Sequence, residues 1–276
     1  MIDSHVHVWT DETRKYPRVP LSPAFEPPRF TPEDFFRHAR PSGVSRAVLI
    51  QMSFYGYDNS YMLDSLRAHP GIFSGVAMVD SSAPEPDLAM KKLAAQGVRG
   101  FRIHPGASPR TWLHTPGMQA MWQCGAQEQL AMCPLLDPEA LAGLDRMCAE
   151  YPETPVVIDH LARIGADGHI RDGDIRLLCG LAKHRKVSVK VSAFYALGRQ
   201  QAPYRDLVPF IREVFENFGP QRLMWGSDSP FQVQADHTYA ASLALIKDEL
   251  PFASSQDRLW MIEKTAESLF FSRPDR

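Results

Sequence analysis

The feature that most constrains this chain is an alternation repeated eight times along its length. Short apolar runs rich in β-branched residues fall at 2–8, 46–52, 73–79, 98–104, 130–136, 155–161, 187–192 and 223–227. Each has the length of a buried strand. Between them lie stretches of helical period, at 60–69, 86–96, 115–129, 138–151, 172–184, 204–218 and 235–249, with a closing helix over 255–270. Thr31-Pro32-Glu33-Asp34 opens the first helix with a capping residue, proline at the first helical position and acids in the first turn; Pro41 to Gly43 stop it. Parallel strands need a crossover, usually a helix, and eight strand–helix units close into a (β/α)8 TIM barrel. The length of 276 residues suits one such barrel. An open doubly wound sheet also alternates, but it carries a glycine-rich loop after its first strand. Here that strand runs into WTDETRKYP, which has no glycine. The expected fold is α/β, a single TIM-barrel domain over 1–276.

Composition excludes several classes of function. Lys plus Arg is 30 against 32 Asp plus Glu, a formal charge of −2, which is no basic field for nucleic acid or an anionic membrane. No run approaches the roughly 20 apolar residues of a membrane span, and MIDSHVHVWT has neither the basic nor the apolar region of a signal peptide. Cys124, Cys133, Cys148 and Cys179 form no C-x-x-C pair, so they read as buried thiols in a reducing cytoplasm rather than a thiolate zinc site. The partner expected is a small-molecule substrate. The oligomeric state is not legible.

One connection is abnormal. More than twenty residues separate the first strand from its helix, and they hold Pro17, Pro20, Pro23, Pro27, Pro28 and Pro32. Long loops in compact domains usually serve a site, and proline limits the entropy lost on ordering them. In a barrel this loop lies on the C-terminal face, where active sites are built.

The polar residues point to the same face. Side chains at i and i+2 of a strand share a side, so Asp3, His5 and His7 are expected together. His104 ends the fourth strand, His160 the sixth and Asp228 the eighth. Strand ends converge in a parallel barrel, so these residues meet in one pocket. Imidazoles can hold a divalent metal that polarises a carbonyl or acidifies water. Asp228 beside them can ligate, accept a proton, or both. Asp159, by alternation, faces away from His160 and reads as a structural partner of the helix layer. Arg102 shares the face of His104; it can pair with a substrate carboxylate or be neutralised by a barrel carboxylate such as Asp3. Lys190 and Ser192 share a face of the seventh strand, and Tyr195 and Arg199 follow within reach of a ligand. Trp9, Tyr16 and Phe25 can wall the pocket or staple the long loop. His38, His69, His114, His169, His184 and His237 fall in helices or loops and read as surface or capping residues.

His5-x-His7, His160 and Asp228, with IDSHVHVW, VVIDHLAR, VSVKVSAFYALG and RLMWGSDSPF, resemble the amidohydrolase superfamily, in particular its amidohydrolase-related branch, which contains 2-pyrone-4,6-dicarboxylate and sugar lactonases. The resemblance implies a hydrolase that opens a lactone by attack of water. It implies His5, His7, His160 and Asp228 as metal ligands or carbonyl-polarising groups, Asp228 and His160 as catalytic, and Arg102, His104 and Tyr195 as substrate-binding. One divalent ion is implied, zinc first and manganese second, although members of this branch also work without metal. The usual histidine after strand five is replaced by Asp137, and no carboxylated lysine marks strand four. Non-oxidative decarboxylation of an aromatic or muconate-type acid is the alternative chemistry. A non-catalytic barrel that binds a small molecule is the alternative of another class.

Overall fold

The computed structural model describes residues 1–20, 25–105 and 112–272. Eight strands form one sheet in chain order: β1 (Ile2–Val6), β2 (Arg46–Ile50), β3 (Phe73–Ala77), β4 (Val98–Ile103), β5 (Ala131–Pro134), β6 (Val156–Ile158), β7 (Val187–Ser192) and β8 (Leu223–Gly226). Every neighbouring pair from β1–β2 to β7–β8 is parallel. The sheet closes between β8 and β1 at its C-terminal rim. There Val6 bridges to Ser229, the His7 amide donates to the Ser229 carbonyl at 2.8 Å, and the Asp228 amide donates to the His5 carbonyl at 2.8 Å. This is the TIM barrel that the alternation predicts.

Around it run α1 (Pro32–Ala39), α2 (Ser60–Ala68), α3 (Pro86–Ala94), α4 (Pro116–Glu128), α5 (Leu141–Glu150), α6 (Asp172–Gly180), α7 (Val208–Phe218) and α8 (Tyr239–Asp248). The helix starts follow their caps. Thr31 and Asp34 bond each other's backbone N–H reciprocally at the head of α1, and the Thr115 and Thr238 side chains accept at α4 and α8. The expected closing helix is two segments, α9 (Ser255–Leu259) and α10 (Thr265–Phe270), joined by a π-turn at Trp260–Lys264.

Inward side chains of the strands, among them Ile2, Val48, Ile50, Val76, Cys133 and Met224, pack with Ala266 and Phe270 of α10 into an apolar plug. Arg46 at the start of β2 pairs with Glu267, and the N-terminal amine with Glu263. Helix α10 therefore seals the end of the barrel opposite the strand C-termini. That leaves the C-terminal rim as the open end.

The long loop after β1 is stapled rather than loose. Trp9 and Phe30 exchange two backbone hydrogen bonds of 2.8 and 2.9 Å, the Trp9 indole donates to the Pro27 carbonyl, and the Tyr16 hydroxyl donates to Asp64. Trp9 and Tyr16 are thus core residues of the loop. Of its prolines, Pro23 lies outside the described residues.

One expectation about β1 fails. The β1–β2 register shifts between Asp3 and Val6, which breaks the strict two-residue period. Asp3 turns to the helix layer, where the Tyr239 hydroxyl of α8 and the amides of Ser227 and His5 donate to it. It does not join His5 and His7, and it does not neutralise Arg102.

Candidate active site

The site is assembled from strand ends that the closure of the barrel forces together. His5 lies in β1, His7 just beyond it, and the hydrogen bonds that close the sheet tie both to the segment carrying Asp228. The His5 and His7 Nε2 atoms are 3.3 Å apart, and the Asp228 Oδ1 lies 3.5 and 3.2 Å from them. The His160 Nε2 stands 3.7 Å from Asp228 Oδ2, and its ring centroid is 4.3 Å from that of His5. All four residues are buried. The structure therefore brings together His5, His7, His160 and Asp228, as the convergence of strand ends predicts.

His160 arrives by an unexpected route. Strand β6 ends at Ile158, and His160, Leu161, Ala162 and Arg163 all take left-handed backbone angles, with φ between 52° and 55°. Such conformations cost about 1–2 kcal/mol per residue for side chains with a Cβ. They persist where surrounding packing over-determines them, typically at functional sites. The turn cancels the alternation, so Asp159 and His160 both face the barrel interior. This corrects the expectation that Asp159 points to the helix layer. Asp228 also sits at positive φ, 62°.

Asp159 is the anchor of a charged layer beneath the histidines. It is fully buried, with Lys190 Nζ at 3.1 Å and Arg102 Nη2 at 3.1 Å. Its Oδ1 is 3.3 Å from His5 Nδ1. Lys190 is also fully buried, and its ammonium stands between this carboxylate and the ring of Phe270 in the apolar plug. Burial works against the Asp159 anion, but Lys190, His5 and Arg102 hold its carboxyl well below the usual range. Both members of the Lys190–Ser192 pair face inward, since the Ser192 hydroxyl meets His160 Nδ1 at 2.8 Å.

These contacts set protonation. Arg102 Nη2 lies 3.0 Å from His5 Nε2, and a guanidinium can only donate. Lys190 Nζ, which also can only donate, lies 3.2 Å from His5 Nδ1, so each ring nitrogen of His5 faces a cation of the protein. His7 donates from Nδ1 to the Ile50 carbonyl at 2.9 Å, which turns its Nε2 toward Asp228 Oδ1 at 3.2 Å. Burial and Lys190 push His5 far below the ordinary histidine value, and burial lowers His160 to about 4. Burial opposes the Asp228 anion, yet His160 and His7 outweigh it, so its carboxyl is held far below the usual range. Asp228 Oδ2 accepts from the Tyr195 hydroxyl at 2.7 Å, whereas the buried Oδ1 has no hydrogen-bond partner.

The Nε2 atoms of His5 and His7 and an orphaned carboxylate oxygen thus face one point. That is the donor set of a divalent cation, and His5, His7 and Asp228 fit one.

Above these groups opens a cavity of about 510 Å³ lined by His7, His160, Asp228, Arg102, Arg163 and Tyr195, with Phe25, Met52, Leu135 and Phe231 as apolar walls. Phe25 confirms the long loop as a wall of the pocket. His104 is exposed and lies outside this lining, and Arg199 is exposed as well. Asp137, after strand five, pairs with Arg163 at 3.3 Å. Sequence reasoning missed Gly226. A Cβ there would stand 2.7 Å from the His5 Cβ, so only glycine lets β8 approach the ligand strand this closely. Its place directly before SDSP in β8 was the available signal.

Fold and site together define a (β/α)8 barrel with an imidazole–carboxylate centre at its C-terminal mouth. The amidohydrolase family model matches residues 2–271, and the chain belongs to that family of hydrolases. It is 30% identical over 252 residues to a 2-pyrone-4,6-dicarboxylate hydrolase of Comamonas testosteroni, covering 86% of this chain and 78% of that one. It is 28% identical to the L-fucono-1,5-lactonase of Burkholderia ambifaria, covering 88% and 85%. Its fold superposes with a TM-score of 0.83 on a probable 2-pyrone-4,6-dicarboxylic acid hydrolase of Acinetobacter baumannii, at 25% identity and 98% coverage of both chains. Among the described residues, no helix is long and apolar enough to cross a membrane.

Proposed function

We propose that this enzyme opens a lactone, the ring ester of a sugar acid or a dicarboxylate, by attack of water. The observation that carries this reading is the Asp228 carboxylate: buried, ionised and with one oxygen unpartnered at the floor of the cavity. The two named relatives act on such ring esters, one anionic and one a sugar lactone.

Asp228 accepts the proton of the attacking water and returns it to the leaving alkoxide. The Tyr195 hydroxyl holds Oδ2, so the water meets Oδ1. With Ser192 donating to Nδ1, His160 presents its Nε2–H to the oxyanion that forms on the ring carbonyl. Arg102 and Arg163 line the same cavity and balance a charged substituent of the substrate. A divalent ion held by His5, His7 and Asp228, zinc first and manganese second, supplies a Lewis acid for the carbonyl when bound. The four free cysteines support a cytoplasmic location.

The test is acid release in a pH-stat across a panel of sugar and dicarboxylate lactones. Asp228→Asn should lower turnover by about 10²–10⁴-fold while the fold is retained. Full turnover in that variant overturns the assignment. Release of carbon dioxide instead of acid assigns the decarboxylase chemistry.

A further inference from the structure

One of the three converging acceptors, His5 Nε2, is met by a cation of the protein itself. Arg102 Nη2 donates to His5 Nε2 at 3.0 Å and to Asp159 Oδ2 at 3.1 Å. An imidazole nitrogen has one lone pair, in the plane of the ring. A divalent ion ligated by His5 needs that same lone pair, because His5 Nδ1 faces Asp159 and Lys190 instead. We propose that Arg102 and a divalent cation are mutually exclusive partners of His5, so that Arg102 decides whether this centre is loaded with metal. With Arg102 on His5, the guanidinium supplies the positive charge of the site. When an ion binds, Arg102 leaves.

Three observations lower the cost of moving the arginine. Its Nε is buried without a hydrogen-bond partner, so its present position leaves a donor unsatisfied. Asp159 keeps Lys190 at 3.1 Å, so departure of Arg102 does not strand a buried carboxylate. Arg102 also lines the open cavity, which gives the guanidinium room to swing. The three acceptors are left as they stand for the incoming ion. Loading therefore costs the Arg102–His5 bond, and by reciprocity any ligand that draws Arg102 upward favours metal binding.

The test uses no substrate, so its outcome is independent of the lactone reading. The protein is stripped with a chelator and titrated with Co²⁺ in competition with a chromophoric chelator. Ligation is followed by the cobalt d–d absorption. Arg102→Met should bind Co²⁺ roughly ten- to a hundred-fold more tightly than wild type, the worth of a hydrogen bond from a charged donor. Arg163→Met removes a second cation of the cavity that touches none of the three ligands, and should change affinity less than about threefold. A second measurement needs no variant. In ¹⁵N-labelled wild type, Zn²⁺ should shift the His5 Nε2 and Arg102 side-chain resonances together. The proposal is overturned by equal affinities in wild type and Arg102→Met, by an equal gain in Arg163→Met, by no binding to either form, or by a His5 shift with Arg102 unmoved.

Discussion

Gly226→Ala should damage both the fold and the site, although it adds a single methyl group to a buried strand. The added Cβ would lie 2.7 Å from His5 Cβ, 3.0 Å from His5 N and 3.1 Å from Ser4 Oγ. Carbon atoms rest about 3.5–4.0 Å apart, so the overlap is about 1 Å. None of these atoms is the tip of a long flexible chain. The His5 amide donates to Asp3, and the His5 carbonyl accepts from Asp228 N, so yielding breaks the bonds that close the barrel. Overpacking of this kind costs about 1–3 kcal/mol, and about 2 kcal/mol corresponds to a fall in Tm of roughly 4–8 °C for a chain of this size. The displacement falls on His5 and Asp228, and a shift of about 1 Å at reacting groups costs about 10²-fold in rate. The assay is thermal unfolding beside kcat/KM on the lactone that wild type turns over. Gly180→Ala is the control, since a Cβ at that end of α6 meets nothing within 4 Å. It should be neutral or stabilise by about 0.5–1 kcal/mol. Gly226→Ala with wild-type Tm and turnover refutes the reasoning, as does a loss of equal size in the control.

Lys190→Met should destabilise by about 3 kcal/mol, near the lower end for breaking a buried ion pair because Arg102 still faces Asp159. In denaturant unfolding, Lys190→Met/Asp159→Asn should lose less than the two single variants summed, and strict additivity contradicts the pairing. Burial raises the Asp3 carboxyl from 3.8 to about 6. A raised acid is at home below its unfolded pKa, so this group's contribution to stability is complete below about pH 4 and is lost as pH rises through 6. Asp3→Asn removes that dependence. Its unfolding free energy should therefore gain about 3 kcal/mol on wild type between pH 4 and pH 7, and parallel profiles contradict the assignment.

The parts of this protein legible in its sequence are those set by local periodicity. All eight strands fall within the runs that their hydrophobicity marks, because a strand buried on both faces is predominantly apolar. His5 and His7 follow from the two-residue period, and the start of α1 from the N-cap signal Thr31-Pro32-Glu33-Asp34. Asp3 shows the limit. A shift of register within one short strand moved it to the other face, and no residue type announces such a shift.

The sequence by itself determined the barrel and the convergence of His5, His7, His160 and Asp228 at its C-terminal face. Only the tertiary structure decided the charged layer beneath them. HLAR contains no glycine to signal four left-handed residues, yet packing imposes them and swings Asp159 inward. Arg102 then takes Asp159 rather than Asp3, and Lys190 completes the neutralisation. The physical reason is range. Strand and helix periods act over a few residues, whereas the ion pairing of Arg102, Asp159 and Lys190 joins β4, β7 and the turn after β6 and exists only once the barrel closes.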